Sequence, residues 1–213
     1  MPDATAQKFD SWALSGKAED MQRGHYKSVS AMLRSARFGS RFTFLDIGCG
    51  NGWVVRMVAS KHPGCRLSVG IDKSANMISR AESDPGNTGR ERYLCADIEE
   101  WKYRGRKFDY VFAMESIYYA NSVGAALAKI YGLLRPGGVF LCGTDFYAEN
   151  TPTKRWAAAM GITMHLYSEG EWEDLLARAG FKVRSRRLKD PAAKDAWKRN
   201  VGTLFLRGRK SAV

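Results

Sequence analysis

Three aspartates, Asp46, Asp72 and Asp97, each fall at the end of an apolar run of strand length, and glycines follow the first of them at positions 48, 50 and 52 in FLDIGCGNGWVV. Glycines so spaced leave a bare backbone that a ligand can approach closely. Phosphate chemistry is the first to test, and the residues argue against it. A Walker loop needs lysine and then Ser or Thr after its glycines, and no lysine follows here. A dinucleotide fingerprint reads GxGxxG, whereas this loop reads GxGxG. Asp46 would also meet an approaching pyrophosphate as a like charge at short range. The acid calls for a ligand with a cationic end.

The other two acids extend that argument. A carboxylate at Asp72, in VGIDKS, can accept both hydroxyls of a ribose. At Asp97, in LCADIEE, a carboxylate can accept an adenine amino group while Ile98 packs on the ring. Singly, each acid reads as well as a helix cap or first-turn dipole partner; the set of three is specific. S-adenosylmethionine, with an ammonium and a sulfonium beside adenosine, matches all three. The helix opening at Gly52 would offer free N–H groups to its carboxylate.

These residues must be carried by an alternating chain. The segments 41–47, 66–72, 92–97, 108–114 and 138–146 read as strands, with helices starting near Gly52, Ser74 and Ser122, the two serines as N-caps. Such alternation predicts a parallel sheet covered by helices on both faces. LLRPGG at 133–138 predicts a helix stop and turn, because Pro136 cannot continue a helix. Residues 18–38 read as a helix with Met21, His25, Val29 and Met32 along one side. Ser168 and Glu171 form a capping box, and FKVRSRRL and VGTLFLRG read as two last strands joined by a short charged helix.

Composition narrows the setting. The 213 residues, 45% hydrophobic, can bury one core, and nothing forces a second domain. The balance of 34 basic and 22 acidic residues gives +12. Residues 178–213 hold twelve Lys or Arg against Asp190 and Asp195, or +10. That excess suits a solvated face or an anionic partner equally. Cys49, Cys65, Cys95 and Cys142 are scattered, without zinc spacing, so no metal is expected. No signal-peptide pattern opens the chain and no apolar run reaches membrane-span length, which predicts a cytoplasmic protein with reduced thiols.

Over residues 40–208 the sequence resembles the class I, Rossmann-like S-adenosylmethionine-dependent methyltransferases, on LDIGCGNG, GIDKSANMISRAE, CADIEEW, FDYVFAMESIYY and LLRPGGVFL. It looks most similar to the metal-independent small-molecule type. The resemblance implies a doubly wound, mostly parallel seven-stranded α/β sheet in the order 3-2-1-4-5-7-6, with strand 7 antiparallel. One methyltransferase domain would span 1–213, with residues 1–40 as a helical cap or lid over the core at 41–213. It also implies that Asp46 and the loop Gly48, Cys49, Gly50, Asn51 and Gly52 hold the methionine moiety. Asp72 would take the ribose, Lys73, Met77 and Met114 would surround the nucleoside, and Asp97 with Ile98 the adenine. Trp53 reads as helix packing.

Methyl transfer from a sulfonium needs positioning and dryness, with proton removal where the acceptor requires it. Acceptor-site candidates are Glu115, Tyr118 and Tyr119 after the fourth strand, then Tyr147 and His165 after the fifth; His165 is a residue type suited to taking a proton. Asp145 and Phe146 belong to the same polar stretch. The segment with Phe9, Trp12, His25 and Tyr26 could close over the cleft, or pack as a core stripe. AMES stands where base-amino methylating relatives carry Asn/Asp-Pro-Pro-aromatic, so a small-molecule or lipid-like acceptor is expected first. RNA or protein docking through the basic C-terminal segment is the alternative. A non-catalytic S-adenosylmethionine-binding regulatory protein is the third reading.

Overall fold

The computed structural model describes residues 3–212. The strands are β1 (Phe42–Ile47), β2 (Cys65–Asp72), β3 (Glu91–Cys95), β4 (Phe108–Met114), β5 (Leu134–Thr144), β6 (Lys182–Leu188) and β7 (Thr203–Arg209). They form one sheet in the order β3-β2-β1-β4-β5-β7-β6. Neighbours from β3 through β5 run parallel, and β7 inserts antiparallel between β5 and β6. This is the expected order.

The helices are α1 (Ala4–Leu14), α2 (Lys17–Ala36), α3 (Trp53–Lys61), α4 (Ala75–Ser83), α5 (Val123–Leu133), α6 (Trp156–Met160), α7 (Glu169–Arg178) and α8 (Ala196–Asn200). Because the central strands are buried on both faces, they read as continuous apolar runs. On one face Leu127 and Ile130 of α5 and Trp172 and Leu176 of α7 pack on Leu45, Val111, Phe140 and Leu206. On the other, Val29 and Met32 of α2 and Val54 and Val58 of α3 pack on Phe44, Phe112, Leu141 and Phe205.

Local chemistry sets the element ends. Ser74 and Ser122 accept the backbone N–H groups of Met77 and Ala125, and Ser168 with Glu171 closes a full capping box. α5 stops at Leu133 as expected, but β5 begins at once instead of at 138. A register shift against β4 absorbs Pro136, and Gly137 takes φ +74°. Two expected strands are shorter at their ends. β3 stops at Cys95, so Asp97 lies in the following turn, where its carbonyl accepts Trp101 N–H at 2.8 Å. β5 stops at Thr144, which releases Asp145 and Phe146 from the sheet.

The N-terminal segment divides in two. α2 is a core helix, with Val29 and Met32 at 0% exposure. α1 instead lies on α4, through an apolar cluster of Phe9, Trp12 and Ala13 with Met77 and through polar contacts. Asp10 accepts Ser74 Oγ and, at 3.0 Å, Asn76 N–H, while Arg80 donates to the Ala13 carbonyl and to Glu19. Replacing the capping serine, Ser168→Ala, is expected to lower unfolding free energy by about 1 kcal/mol. The check is a lower urea midpoint at unchanged m value.

Candidate active site

A cavity of about 140 Å³ lies at the carboxyl ends of β1, β2 and β4, closed by Thr5 and Phe9 of α1 and by Met21 and His25 of α2. Its floor is the turn after β1. Gly48 and Cys49 both donate to the Ile71 carbonyl, at 2.8 and 3.0 Å, and Gly50 N–H donates to Asp72 Oδ2 at 2.8 Å. Gly48 sits at φ +72°, and a Cβ there would stand 2.3 Å from Ser116 Cβ. Only glycine fits this turn.

The carboxylates differ in their partners. Asp46 is 2% exposed, and among the described residues no hydrogen-bond donor reaches it; burial first, then the Asp72 charge, pushes its carboxyl well above the usual range. Asp72 accepts Gly50 and Ser74 N–H groups, yet burial still raises it. Asp97 accepts Glu99 N–H at 2.9 Å and pairs with Lys73 at 2.9 Å. Lys73 also reaches Asp3, at 3.1 Å, and so ties the start of α1 to the same cluster.

Of the sequence-predicted residues, Asp46, Gly48, Cys49, Gly50, Asn51, Asp72, Lys73, Met77, Asp97, Ile98, Met114, Glu115 and Tyr119 all line this cavity. Gly52 does not. At φ +76° it abuts Tyr93 and Ala81 and serves as the N-cap of α3. Tyr118 is 2% exposed and outside the lining; its hydroxyl donates to Glu115 Oε2 at 2.8 Å. Tyr147 is 0% exposed, with its hydroxyl committed to the Gly202 carbonyl at 3.0 Å. His165 also lies outside. Its N–H is held by the Tyr118 carbonyl at 3.0 Å, and its ring stacks on Tyr167. Trp53, expected only to pack, lines the cavity as well.

Glu115 occupies a left-handed backbone position, φ +53°, that a non-glycine side chain seldom adopts. Its Oε1 accepts Asp145 N–H, and burial, then the Asp145 charge, pushes its carboxyl upward. A second histidine stands beside it. His25 Nδ1 lies 3.5 Å from Asp145 Oδ2, and both atoms are buried without a hydrogen bond. Asp145 is 0% exposed, and its Oδ1 accepts Thr203 Oγ1 at 2.6 Å. Burial lowers His25 and favours neutral imidazole. The helical period places His25 on an inward face, but Asp145 comes from beyond β5, and no local spacing joins the two. Among the described residues no three His, Cys, Asp or Glu side chains are grouped to hold a metal ion.

A glycine turn after β1, acids at or just beyond the ends of successive strands and an antiparallel β7 define the Rossmann-like architecture of S-adenosylmethionine-dependent methyltransferases. The chain belongs to the family described as "Methyltransferase domain", whose profile matches residues 18–186. It is 27% identical over 139 residues to a malonyl-acyl-carrier-protein O-methyltransferase of Priestia megaterium, covering 65% of this chain and 47% of that protein. It is 31% identical over 151 residues to a sterol 24-C-methyltransferase of Eremothecium gossypii, covering 65% and 40%. The chain thus spans about half, or less, of the length of these curated relatives. In fold it is similar to a Haloferax volcanii methyltransferase solved in complex with the Trm112 methyltransferase activator, with TM-score 0.89, 24% identity and coverage of 95% and 97%.

The raised Asp46 sets a pH dependence. Between about pH 4, the unfolded value, and its raised folded value, the folded chain keeps a proton that the unfolded chain has released. Stability therefore falls as pH rises through that window. Asp46→Asn removes this loss. The ligand-free variant is expected to melt above wild type at pH 7.5, with the gap closing near pH 4, as scanning calorimetry would record.

Proposed function

We propose that the cavity binds S-adenosylmethionine and that the chain methylates an O–H or N–H group of a small or lipid-like acceptor, with His25 receiving the displaced proton. The observation that carries this reading is Asp46, a buried carboxylate with no donor. An unpaired buried charge is costly, and the cofactor's ammonium is the counter-charge it lacks. Asp72 then takes the ribose, and Asp97 with Ile98 and Met77 the adenine, as the resemblance implies. The residues present fit the group.

The cavity, about 140 Å³, is smaller than the clefts of roughly 300 Å³ and upward that hold such ligands. On this reading α1 is a lid that swings aside for entry. Its polar attachments, Asp10 to Ser74 and Asn76 and Asp3 to Lys73, suit a reversible closure.

When bound, the sulfonium supplies a methyl group already activated for displacement. The chain's residues then position the acceptor, exclude water and remove a proton. Phe9, Met21, Trp53 and Tyr119 give the cavity apolar walls. Asp145 Oδ2, 3.5 Å from Nδ1, is placed to orient His25, which leaves Nε2 to take the acceptor's proton as the heteroatom gains the methyl group. Glu115, favoured neutral by burial and braced by Tyr118, adds a wall without a competing charge. The names of the malonyl-acyl-carrier-protein and sterol methyltransferases support an acceptor that is small or lipid-like. The reading invokes no metal ion.

A second reading concerns regulation. The Haloferax neighbour was solved with an activator, and here β3 forms a sheet edge with Leu94 40% exposed. On this reading a small activator subunit docks on that edge; co-purification with such a subunit tests it.

Asp72→Ala is expected to weaken S-adenosylhomocysteine binding by about 1 to 3 kcal/mol, measured by isothermal titration; unchanged affinity would remove Asp72 from the site. Incubating metabolite and lipid extracts with methyl-labelled cofactor identifies the acceptor. With that acceptor, His25→Ala should lower kcat by about 10²- to 10⁴-fold at near-constant cofactor affinity. An unaltered kcat would assign the proton to another group.

A further inference from the structure

On the α2 side of the sheet, β6 and β7 carry a cluster of cations. Lys182 stands opposite Arg209 and Arg184 opposite Arg207, while Arg186 faces Phe205 with its guanidinium 5.5 Å from the ring centroid. Arg34 and Arg37 at the end of α2 extend the cluster. Among the described residues, none of these side chains has a carboxylate within 4.0 Å. The neighbouring Lys27 and Arg187 do, in Asp190 and Glu169.

Edge protection accounts for part of this. Charges on an edge strand discourage pairing with another chain, and β6 is an edge. β7 is interior, however, and its Arg207 and Arg209 stand directly opposite other cations, an arrangement that repels. Arg207 Nε is also buried without a hydrogen-bond partner. Burial, then the charges of Arg209, Arg184 and Arg37, lower the Arg207 guanidinium from its ordinary value. An anion seated on this face would relieve both the repulsion and the orphaned donor.

The surroundings select the anion. Cations recur at alternate residues of β6, about 7 Å apart, and lead into a groove of about 790 Å³ between α2, α3 and β6. Tyr26, 45% exposed, lines that groove. It stacks on Trp53 at 6.3 Å, with Lys61 5.7 Å over its ring, and Trp53 also lines the cofactor cavity. Arginine forks match phosphate geometry, and an exposed ring beside cations suits base stacking. Insertion into a membrane would need apolar side chains on this face. The other exposed large hydrophobics, Leu14, Leu94 and Leu166, sit on other elements.

We propose that this face binds a single-stranded nucleic acid, with phosphates along Arg184, Arg186, Arg207 and Arg209 and a base on Tyr26, beside the mouth of the cavity. The inference goes beyond methyl transfer and stands without it.

Fluorescence anisotropy with labelled oligouridylate and oligodeoxythymidylate tests it on the full chain. Affinity should fall with salt at a log–log slope near −3, the value for about four single-strand phosphates. Arg184→Gln with Arg209→Gln should flatten that slope by about 1.4. Tyr26→Ala should weaken binding about 5- to 150-fold at constant slope. Titration of the arginine variant with S-adenosylhomocysteine should match wild type, which separates a docking defect from a folding or cofactor defect. Tighter binding to either oligonucleotide supports the proposal and names its source. Variants that bind oligonucleotide like wild type would overturn it, as would equal affinity for polyglutamate or phosphatidylserine vesicles.

Discussion

The arrangement at the carboxyl end of the sheet depends on one constraint: Asp46 is buried beside a turn that has no room for side chains. The turn is fixed from below, since Gly48 and Cys49 share the Ile71 carbonyl and Gly50 is tied to Asp72. Those bonds hold two carboxylates near each other in a dry place; burial raises both, helped at Asp46 by the Asp72 charge and at Asp72 by the Asp10 charge. A fold selected for stability alone would place an apolar residue at position 46. Retaining the acid makes the ligand-free state uncomfortable and reserves the interaction for a cation, an instance of stability given up at a site of function.

Proton handling, on the proposed reading, follows the same economy. Asp145 is shared among Thr203, the His25 imidazole and, through its backbone, Glu115. Burial acts oppositely on the two side chains that face the acceptor, favouring neutral imidazole at His25 and a neutral carboxyl at Glu115. A neutral wall suits a reaction in which the only required charge arrives with the donor.

Much of this was legible in the chain, for identifiable reasons. Caps and the glycine turn follow from local rules, so Ser74, Ser122, Ser168 and Gly48 read correctly from spacing alone, whereas the strand order came only with the family resemblance. The cavity-lining residues were legible because they sit within a few positions of strand ends; Gly52 lies outside the lining, since the spacing marks a glycine but not which way its neighbours lie. The acceptor residues were harder. Tyr118, Tyr147 and His165 have suitable chemistry, yet all three lie outside the cavity lining: the Tyr118 and Tyr147 hydroxyls are bonded to Glu115 and Gly202, and the backbone N–H of His165 is tied to the Tyr118 carbonyl. His25 and Asp145 meet only because α2 crosses the end of β5, a long-range event that no window of sequence contains.

Lys73 has a further consequence. Its ammonium is divided between Asp97 on the floor and Asp3 at the start of α1, so cover and floor compete for one cation. On the proposed reading, lifting the cover would return the whole charge to Asp97, so that release of spent donor and retreat of the helix become a single event.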